Sequence, residues 1–470
     1  MGCSNLLEQM IGAQDSKPES GDWNWERQPA AATLLAGWLE AAQAANPWLR
    51  DFAERLHAES GNRLADLVDL WSRPDTPDAR LAIERAGYRP LEAAAGGHLF
   101  HHPRGMFPRV LLHPRAGVAV DLRVESCADF GSAHGLSAAI EGVPGAPLRR
   151  LAVYTAGGVA VRAARRRGSL AAVITGGPCE PTLTDQALVL ESFRGRPRRF
   201  ADEAAGFDEL AERVDAAVAR VGRDVACSLF FAAERDFWER RNAAARWQAS
   251  RQAALGIGWA NHDHHTYRSS RVHFHRLVAL FEKLGFHCRE RFSPGAAAGW
   301  GAQVMEQPVC GIVTFNDVDL SPAELRTDFA HTPLGERDTL ATVGLWCGLH
   351  GESILQAGMH HLECTFDFGE LREQMASGGI ETMRPFTDFD HLKQAFTRGE
   401  LWQVEEGRLN RLVDAGRISG AEAEAFRRDG AIGSHLENLE RNEGFKGFNQ
   451  RGVTEVIHAT DPRRQPSSPA

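Results

Sequence analysis

The chain has 470 residues, 43% hydrophobic and 24% charged, with a formal net charge of −9. That balance fits a folded protein of roughly two to four domains and sets aside disordered and low-complexity classes. It also argues against nucleic acid as a partner, which needs a basic face, and no apolar run approaches the about 18 residues of a helical membrane span.

Eight cysteines form no CxxC pair, so zinc-ribbon and thioredoxin-type sites are set aside and reduced core thiols are expected. The opening Met1-Gly2-Cys3-Ser4-Asn5 has no basic or apolar leader and lacks the hydroxyl residue of a myristoylation motif. A cytoplasmic protein is expected. Lysine occurs only as Lys17, Lys283, Lys393 and Lys446, and this arginine bias suggests a high-GC, bacterial source.

In chain order, residues 1–60 read as a loose polar segment followed by a helix over 30–57, with Leu34, Leu35, Trp38, Leu39 and Ala42 on one face. Residues 61–205 read as a diverged α+β region. Its strands are expected near 67–71, 110–112, 118–124, 151–155, 171–174 and 187–193, with a helix over 79–85 that stops at Gly87. The run Arg162, Arg165, Arg166, Arg167 reads as a solvated loop. His98, His101 and His102, followed by Pro103, Gly105 and Pro108, read as a turn rather than a metal site. Residues 206–257, rich in Ala, Glu and Arg, form a helical connector.

From 258 to 460 a pattern repeats. A strand at 263–267 precedes an amphipathic helix over 272–284, with Phe274, Leu277, Val278, Leu280 and Phe281 inward and Gly285 as its stop. Strands follow at 287–292, 301–306 and 311–315. The order then recurs with a strand at 360–366, a helix at 368–376 closed by Gly378 and Gly379, a strand at 380–383 and last strands near 430–440. A βαβββ unit cannot bury its own sheet face, so two such units must pair into a curved, barrel-like sheet with outer helices. The expected class is therefore α+β, built from tandem βαβββ modules, and residues 61–205 are readable as a degenerate copy of the same pair. A disordered tail is expected over 461–470.

Three stretches of this region carry metal-ligating residue types: Asn261-His262-Asp263-His264-His265-Thr266, Gly358-Met359-His360-His361-Leu362-Glu363, and Ser434-His435-Leu436-Glu437-Asn438-Leu439-Glu440-Arg441. Two imidazoles and one carboxylate on one face of a metal, with open positions opposite, form the ligand set of non-haem Fe(II) oxygenases. Strand alternation puts His262, His264 and Thr266 on one face and His265 and Tyr267 on the other, so His264 and His265 cannot both face one metal. It likewise sets His361, Glu363 and Thr365 opposite His360, Leu362 and Cys364.

On these residues the C-terminal half resembles the vicinal oxygen chelate superfamily, and within it the 4-hydroxyphenylpyruvate dioxygenase family. Asp263-His264 is similar to that family's Asp-His. Gly358-Met359-His360-His361-Leu362, with the helix and glycine turn behind it, resembles its Gly-x-x-His strand. Residues 436–441 and the loop Gly444-Phe445-Lys446-Gly447-Phe448-Asn449 resemble its last strand and glycine loop. Asp263-His264-His265-Thr266-Tyr267-Arg268 also resembles the Asn-His-Leu-Thr-Pro-Arg strand of the 2-oxoadipate dioxygenase/decarboxylase family.

The resemblance implies a mononuclear Fe(II) dioxygenase with His264, His361 and Glu437 as metal ligands. It would decarboxylate and oxidise a 2-oxo acid, arylpyruvate-like or dicarboxylate, with dioxygen. It places substrate contacts at Asn316, His360, Phe445 and Phe448, with Trp300 and Trp346 as candidate walls. The chain departs from the family where His360 replaces Gln, Ala302 replaces Ser, Asp317 replaces Glu and Lys446 interrupts the glycine loop, so the substrate stays open. Glu306 is a rival carboxylate: a set of His264, Glu306, His361 and Glu437 would imply a glyoxalase- or isomerase-like lyase. A third reading is a non-catalytic small-molecule-binding member of the superfamily. Self-association into a homo-oligomer is compatible with all three.

Overall fold

A computed structural model describes residues 25–94, 97–115, 117–174, 180–295, 298–449 and 461–464. The polar opening up to Asp22 and the end of the tail lie outside the described residues, as do Cys3 and Cys179.

Eight strands form a first sheet: β1 (Val68–Pro74), β2 (Arg89–Ala94), β3 (Gly97–His101), β4 (Arg109–His113), β5 (Val118–Arg123), β6 (Ile140–Glu141), β7 (Leu148–Ala156) and β8 (Val159–Arg166). Their order is β2-β3-β4-β1-β5-β8-β7-β6. A second sheet is made from β9 (His262–Arg268), β10 (His287–Phe292), β11 (Trp300–Gln307), β12 (Ile312–Asp319), β13 (His361–Thr365), β14 (Thr387–Phe389), β15 (Leu392–Phe396), β16 (Glu400–Trp402) and β17 (Ala431–Arg441). Its order is β10-β11-β12-β9-β13-β17-β15-β14, with β16 on the flank of β17.

Each sheet is thus two βαβββ units joined by their first strands. In both sheets the first strands pair antiparallel, β1 with β5 and β9 with β13. In all four units the first strand runs parallel to the last. Each unit carries one helix after its first strand: Pro77–Arg85, Cys127–Ala133, Phe274–Lys283 and Phe368–Ser377. The class is α+β with paired βαβββ units, and both sheets are open at their ends among the described residues.

Burial explains which face is left for chemistry. The outer face of the second sheet presents Tyr267, Leu362, Cys364 and Leu436 to a single core with Phe230, Phe231 and Trp238 of the helix Arg223–Arg240 and Phe274 and Phe281 of the helix Phe274–Lys283. Each such side chain contributes about 1.5–3 kcal/mol when fully buried. The first sheet does the same with Trp71, Val110, Val120 and Val161 against Leu49, Phe52 and Leu56 of the helix Pro47–Ser60. With the outer faces sealed by helices, the opposite faces are where polar side chains collect.

Several local expectations change. The expected single helix over 30–57 is two, Pro29–Ala45 and Pro47–Ser60, because Pro47 cannot continue the first and Asn46 caps the second by accepting from Leu49 N. The span 187–193 is not a strand but lies in the helix Leu183–Arg194, capped by Thr182 and burying Gln186, Val189 and Phe193 at helical spacing. Residues 171–174 form no strand, and 380–383 contribute only one bridge, Thr382 to Thr397. The arginine run is not a solvated loop: Arg162, Arg165 and Arg166 belong to β8, and Arg162 and Arg166 make ion pairs to Asp121 and Asp69. The His98 segment is β3 rather than a turn. The helices Glu406–Asp414 and Gly420–Asp429 were not expected from the sequence. Among the described residues no helix is long and apolar enough to cross a membrane, and six cysteines are free thiols.

Candidate metal centre

Register puts the chemistry in one transverse row. Glu306 of β11, Val313 of β12, His264 of β9, Glu363 of β13 and Glu437 of β17 stand side by side across five adjacent strands. Residues in register point to the same side, so this row shares one face. His361 belongs to the next row, level with Thr266 and His435, and two residues from Glu363 on the same face.

The side chains converge. Glu363 Oε1 lies 2.5 Å from His264 Nε2 and 3.0 Å from His361 Nε2. His361 Nε2 is 3.8 Å from Glu437 Oε2. One atom each of His361, Glu363 and Glu437 falls within 4.8 Å of the others, and all three residues are buried. Thr266 Oγ1 donates to Glu363 at 3.2 Å. Gln394, itself held by Thr387, donates to Glu437 Oε1 at 2.8 Å. Phe448 packs edge-on against His264 at 4.9 Å between ring centroids.

A β-bulge prepares His264. In the pairing of β9 with β13, His264 faces Glu363 and His262 faces Cys364, so Asp263 is an extra residue. A bulge of this kind turns two successive side chains to one side. Asp263 Oδ1 therefore reaches His264 Nδ1 at 2.7 Å, while Arg441 grips the same carboxylate at 2.8 and 3.1 Å. Holding Nδ1 as the protonated nitrogen leaves the lone pair of Nε2 toward the cluster. The bulge also corrects the simple alternation. His262 does not share the face of His264; its ring lies 5.2 Å from His265, which packs on Phe231 in the sealed core.

Electrostatics favour a cation here. Burial lowers His264 to about 4 against the opposing pull of Asp263, and burial holds His361 well below its ordinary value, so both imidazoles are neutral donors. Burial and then the neighbouring Glu437 carboxylate raise Glu363 well above the usual range, and burial raises Glu437 to about 8. Two adjacent buried carboxyl groups resist ionising together unless a positive charge joins them. Nitrogen and oxygen donors at right angles on a metal with bonds of about 2.1 Å sit about 3 Å apart. The 3.0 Å between Glu363 and His361 matches that spacing, and His361, Glu363 and Glu437 form a three-donor group that His264 joins through its 2.5 Å contact with Glu363. Imidazole and carboxylate donors of this kind suit Fe(II), Mn(II) or Zn(II).

The other candidates fall elsewhere. Glu306 is in the row but two strands from His264, about 10 Å at the usual strand spacing. It binds Lys446 Nζ at 2.9 Å and lies 3.6 Å from Arg289, so it is not beside the cluster; Glu363 is the second carboxylate there. Asn316 lies on the opposite face, donating to Thr314 Oγ1 and the Gln303 carbonyl. Phe445 packs on His391 in an outer hollow with Trp25 and Arg27, away from the cluster. His360 is buried against Trp346 and His435, 4.7 Å from the His361 ring, and among the described residues both its ring nitrogens lack partners. Trp300 and Trp346 do line the apolar wall beside the row, with Phe315 and Phe448.

Two residues escaped the sequence reading. Glu363 was visible as sharing the face of His361 and, with Asp263 and Asn261, as a nearby partner for the imidazoles, not as a ligand. Arg268 stands four residues past His264 on β9 and is buried over Trp346, 5.6 Å from the ring centroid. Its Nε and Nη1 have no hydrogen-bond partner among the described residues, with Asp317 Oδ2 at 3.5 Å. The signal for Arg268 was the period of two: His264, Thr266 and Arg268 descend one face.

No family model matches the chain, and no curated protein matches it. Among solved structures, it is similar to a 4-hydroxymandelate synthase mutant from Streptomyces coelicolor, at 13% identity over 85% of this chain and 99% of that one, with a TM-score of 0.27. It is also similar to the uncharacterized protein YdcJ from Shigella flexneri, at 11% identity over 55% of this chain and 71% of that one, TM-score 0.23. A third is the Mn(II)-bound glyoxalase from Novosphingobium aromaticivorans, at 8% identity over 87% and 96%, TM-score 0.21.

Proposed function

We propose that the chain is a mononuclear Fe(II)-dependent dioxygenase acting on a 2-oxo dicarboxylate, with His264, His361 and Glu437 as ligands. The observation that carries a metal-dependent reading is the meeting of His361, Glu363 and Glu437 on one buried face, with His264 Nε2 set against Glu363 beside them. The ordered motifs that resemble the 4-hydroxyphenylpyruvate and 2-oxoadipate dioxygenases support oxygen chemistry. Bound Fe(II) would supply a meeting point for a chelating 2-oxo acid and dioxygen.

The protein's own groups have distinct tasks in this reading. Asp263 and Arg441 fix the His264 ring, and Gln394 fixes the Glu437 carboxylate. Glu363, which burial keeps protonated and to which Thr266 donates, would hold a proton beside both imidazoles. Phe315 and Phe448 exclude water from His264. Arg268 supports a dicarboxylate over an arylpyruvate, because a buried guanidinium with unused donors is a receptor for a carboxylate. About 13 Å of strand separates its Cα from that of His264, a gap its side chain and a short diacid can share.

A second reading is favoured by Glu363 specifically. If it ligates as a fourth group, only two positions stay open on an octahedral metal, which suits a Lewis-acid isomerase or lyase rather than oxygen activation. Metal content and oxygen uptake, measured with arylpyruvates and 2-oxo dicarboxylates, separate the two. Oxygen consumption with carbon dioxide release from a dicarboxylate, and a raised KM in Arg268→Gln, is expected; a stoichiometric metal with no oxygen use overturns the dioxygenase. The absence of any stoichiometric metal would leave the non-catalytic binding protein.

A further inference from the structure

The first sheet repeats the device of the second at the same positions. In the pairing of β1 with β5, Leu70 faces Asp121 and Val68 faces Leu122, so Asp69 is an extra residue just as Asp263 is. Asp69 is gripped by Arg166 at 2.7 Å, as Asp263 is by Arg441. Arg166 lies four residues after Arg162 on β8, and Arg441 four after Glu437 on β17. The row Leu70, Asp121, Arg162 therefore stands where His264, Glu363 and Glu437 stand. Ala119, two residues before Asp121, takes the place of His361.

These exchanges invert the charge. Both imidazoles are gone and one carboxylate has become a guanidinium. Arg162 Nε reaches Asp121 at 2.5 Å and its Nη2 reaches Ser72 Oγ at 3.1 Å. Arg150 Nε reaches Asp121 at 2.7 Å and its Nη2 reaches the Ala172 carbonyl at 2.7 Å. Among the described residues neither arginine has a partner for Nη1. Two guanidiniums thus share one carboxylate, and Arg109 and Arg123 add positive charge around Asp69. An unbalanced charge in a low-dielectric setting is costly unless a counter-ion joins it. Above this pair lies a hollow of about 300 Å³ lined by Ser72, His113, Arg150 and Arg162, with Leu111 and Val173 among its apolar walls.

We propose that this hollow binds a small organic carboxylate, its oxygens on the Arg150 and Arg162 guanidiniums and its short carbon chain on the apolar wall. Planar guanidinium forks match a carboxylate, and the apolar wall favours an organic acid over inorganic phosphate. The inference does not rest on the metal centre.

Isothermal titration of the full chain in chelator-containing buffer, with succinate and separately inorganic phosphate as probes, tests it. Saturable one-site succinate binding is expected, unchanged in the His361→Ala/Arg268→Gln double variant and weakened at least tenfold in Arg162→Gln. Ala160→Leu, which fills the hollow without removing a charge, should weaken it similarly and covers the case in which Arg162→Gln does not fold. Three results would overturn the proposal: no succinate binding, phosphate binding more tightly than succinate, or binding lost in the double variant but kept in Ala160→Leu.

Discussion

Asp263 carries two consequences through one extra backbone position: it turns His262 out of the site and brings its own carboxylate onto His264. Replacing it by Asn keeps the shape but removes the charge that sets the imidazole. Outer partners of this kind typically govern metal affinity by 10–100-fold. Asp263→Asn is therefore expected to weaken divalent-metal binding by about that factor in a competition titration, while His264→Ala, His361→Ala and Glu437→Ala abolish it. Glu306→Ala should leave metal stoichiometry intact, since its carboxylate is occupied by Lys446. Glu306 instead predicts an acid response. Burial would raise it, but Lys446 and Arg289 outweigh burial and hold it near about 2, below its ordinary 4.5. A depressed carboxylate stabilises the fold fully above its unfolded value and loses that contribution as pH falls through the folded one. The urea midpoint of Glu306→Gln should therefore lie below wild type at pH 7 and converge with it as the pH falls from 4.5 toward 2; parallel curves would refute the pairing.

At the scale of elements, Asn46 joins a helix to a sheet. Its Oδ1 caps the helix Pro47–Ser60 at Leu49 N, and its Nδ2 donates to the Val159 carbonyl of β8. Asn46→Ala removes a cap and leaves a buried carbonyl unpaired, so a loss of about 2 kcal/mol is expected by chemical denaturation. The elements that the sequence disclosed are those whose period is undisturbed. The helix Phe274–Lys283 carries Phe274, Leu277, Val278, Leu280 and Phe281 at helical spacing, which announce one buried face. The proposed ligands His264, His361 and Glu437 were singled out because each lies in a motif of its own. What stayed hidden depends on partners far along the chain. β8 looked solvated because its arginines pair with Asp69 and Asp121 on other strands. The helix Leu183–Arg194 passed for a strand because Val189, Leu190 and Phe193 crowd together, while its cap at Thr182 speaks only through geometry. Glu363 entered the site through register, which no local pattern encodes.

At the scale of the molecule, four βαβββ units form two sheets with one strand order, yet among the described residues only the second gathers metal-ligating side chains on its inner face. A cation held there would join groups of β13 and β17, beside His264 of β9, and would relieve two buried carboxyl groups that otherwise oppose each other. A ligand that binds only the folded state stabilises it by RT ln(1 + [L]/Kd), about 2.7 kcal/mol at a hundredfold excess over Kd. The first sheet, whose corresponding row has no imidazole and sets two guanidiniums on its one carboxylate, offers the same ion no such site. Addition of Fe(II) under anaerobic conditions, or of Mn(II) in air, should therefore raise the thermal midpoint of the wild-type chain, and chelator should reverse it. His361→Ala should show no response to either, while Arg162→Gln, altered only in the first sheet, should respond as wild type does. A metal response that persists in His361→Ala would place the cation elsewhere and remove the basis for assigning chemistry to the second sheet.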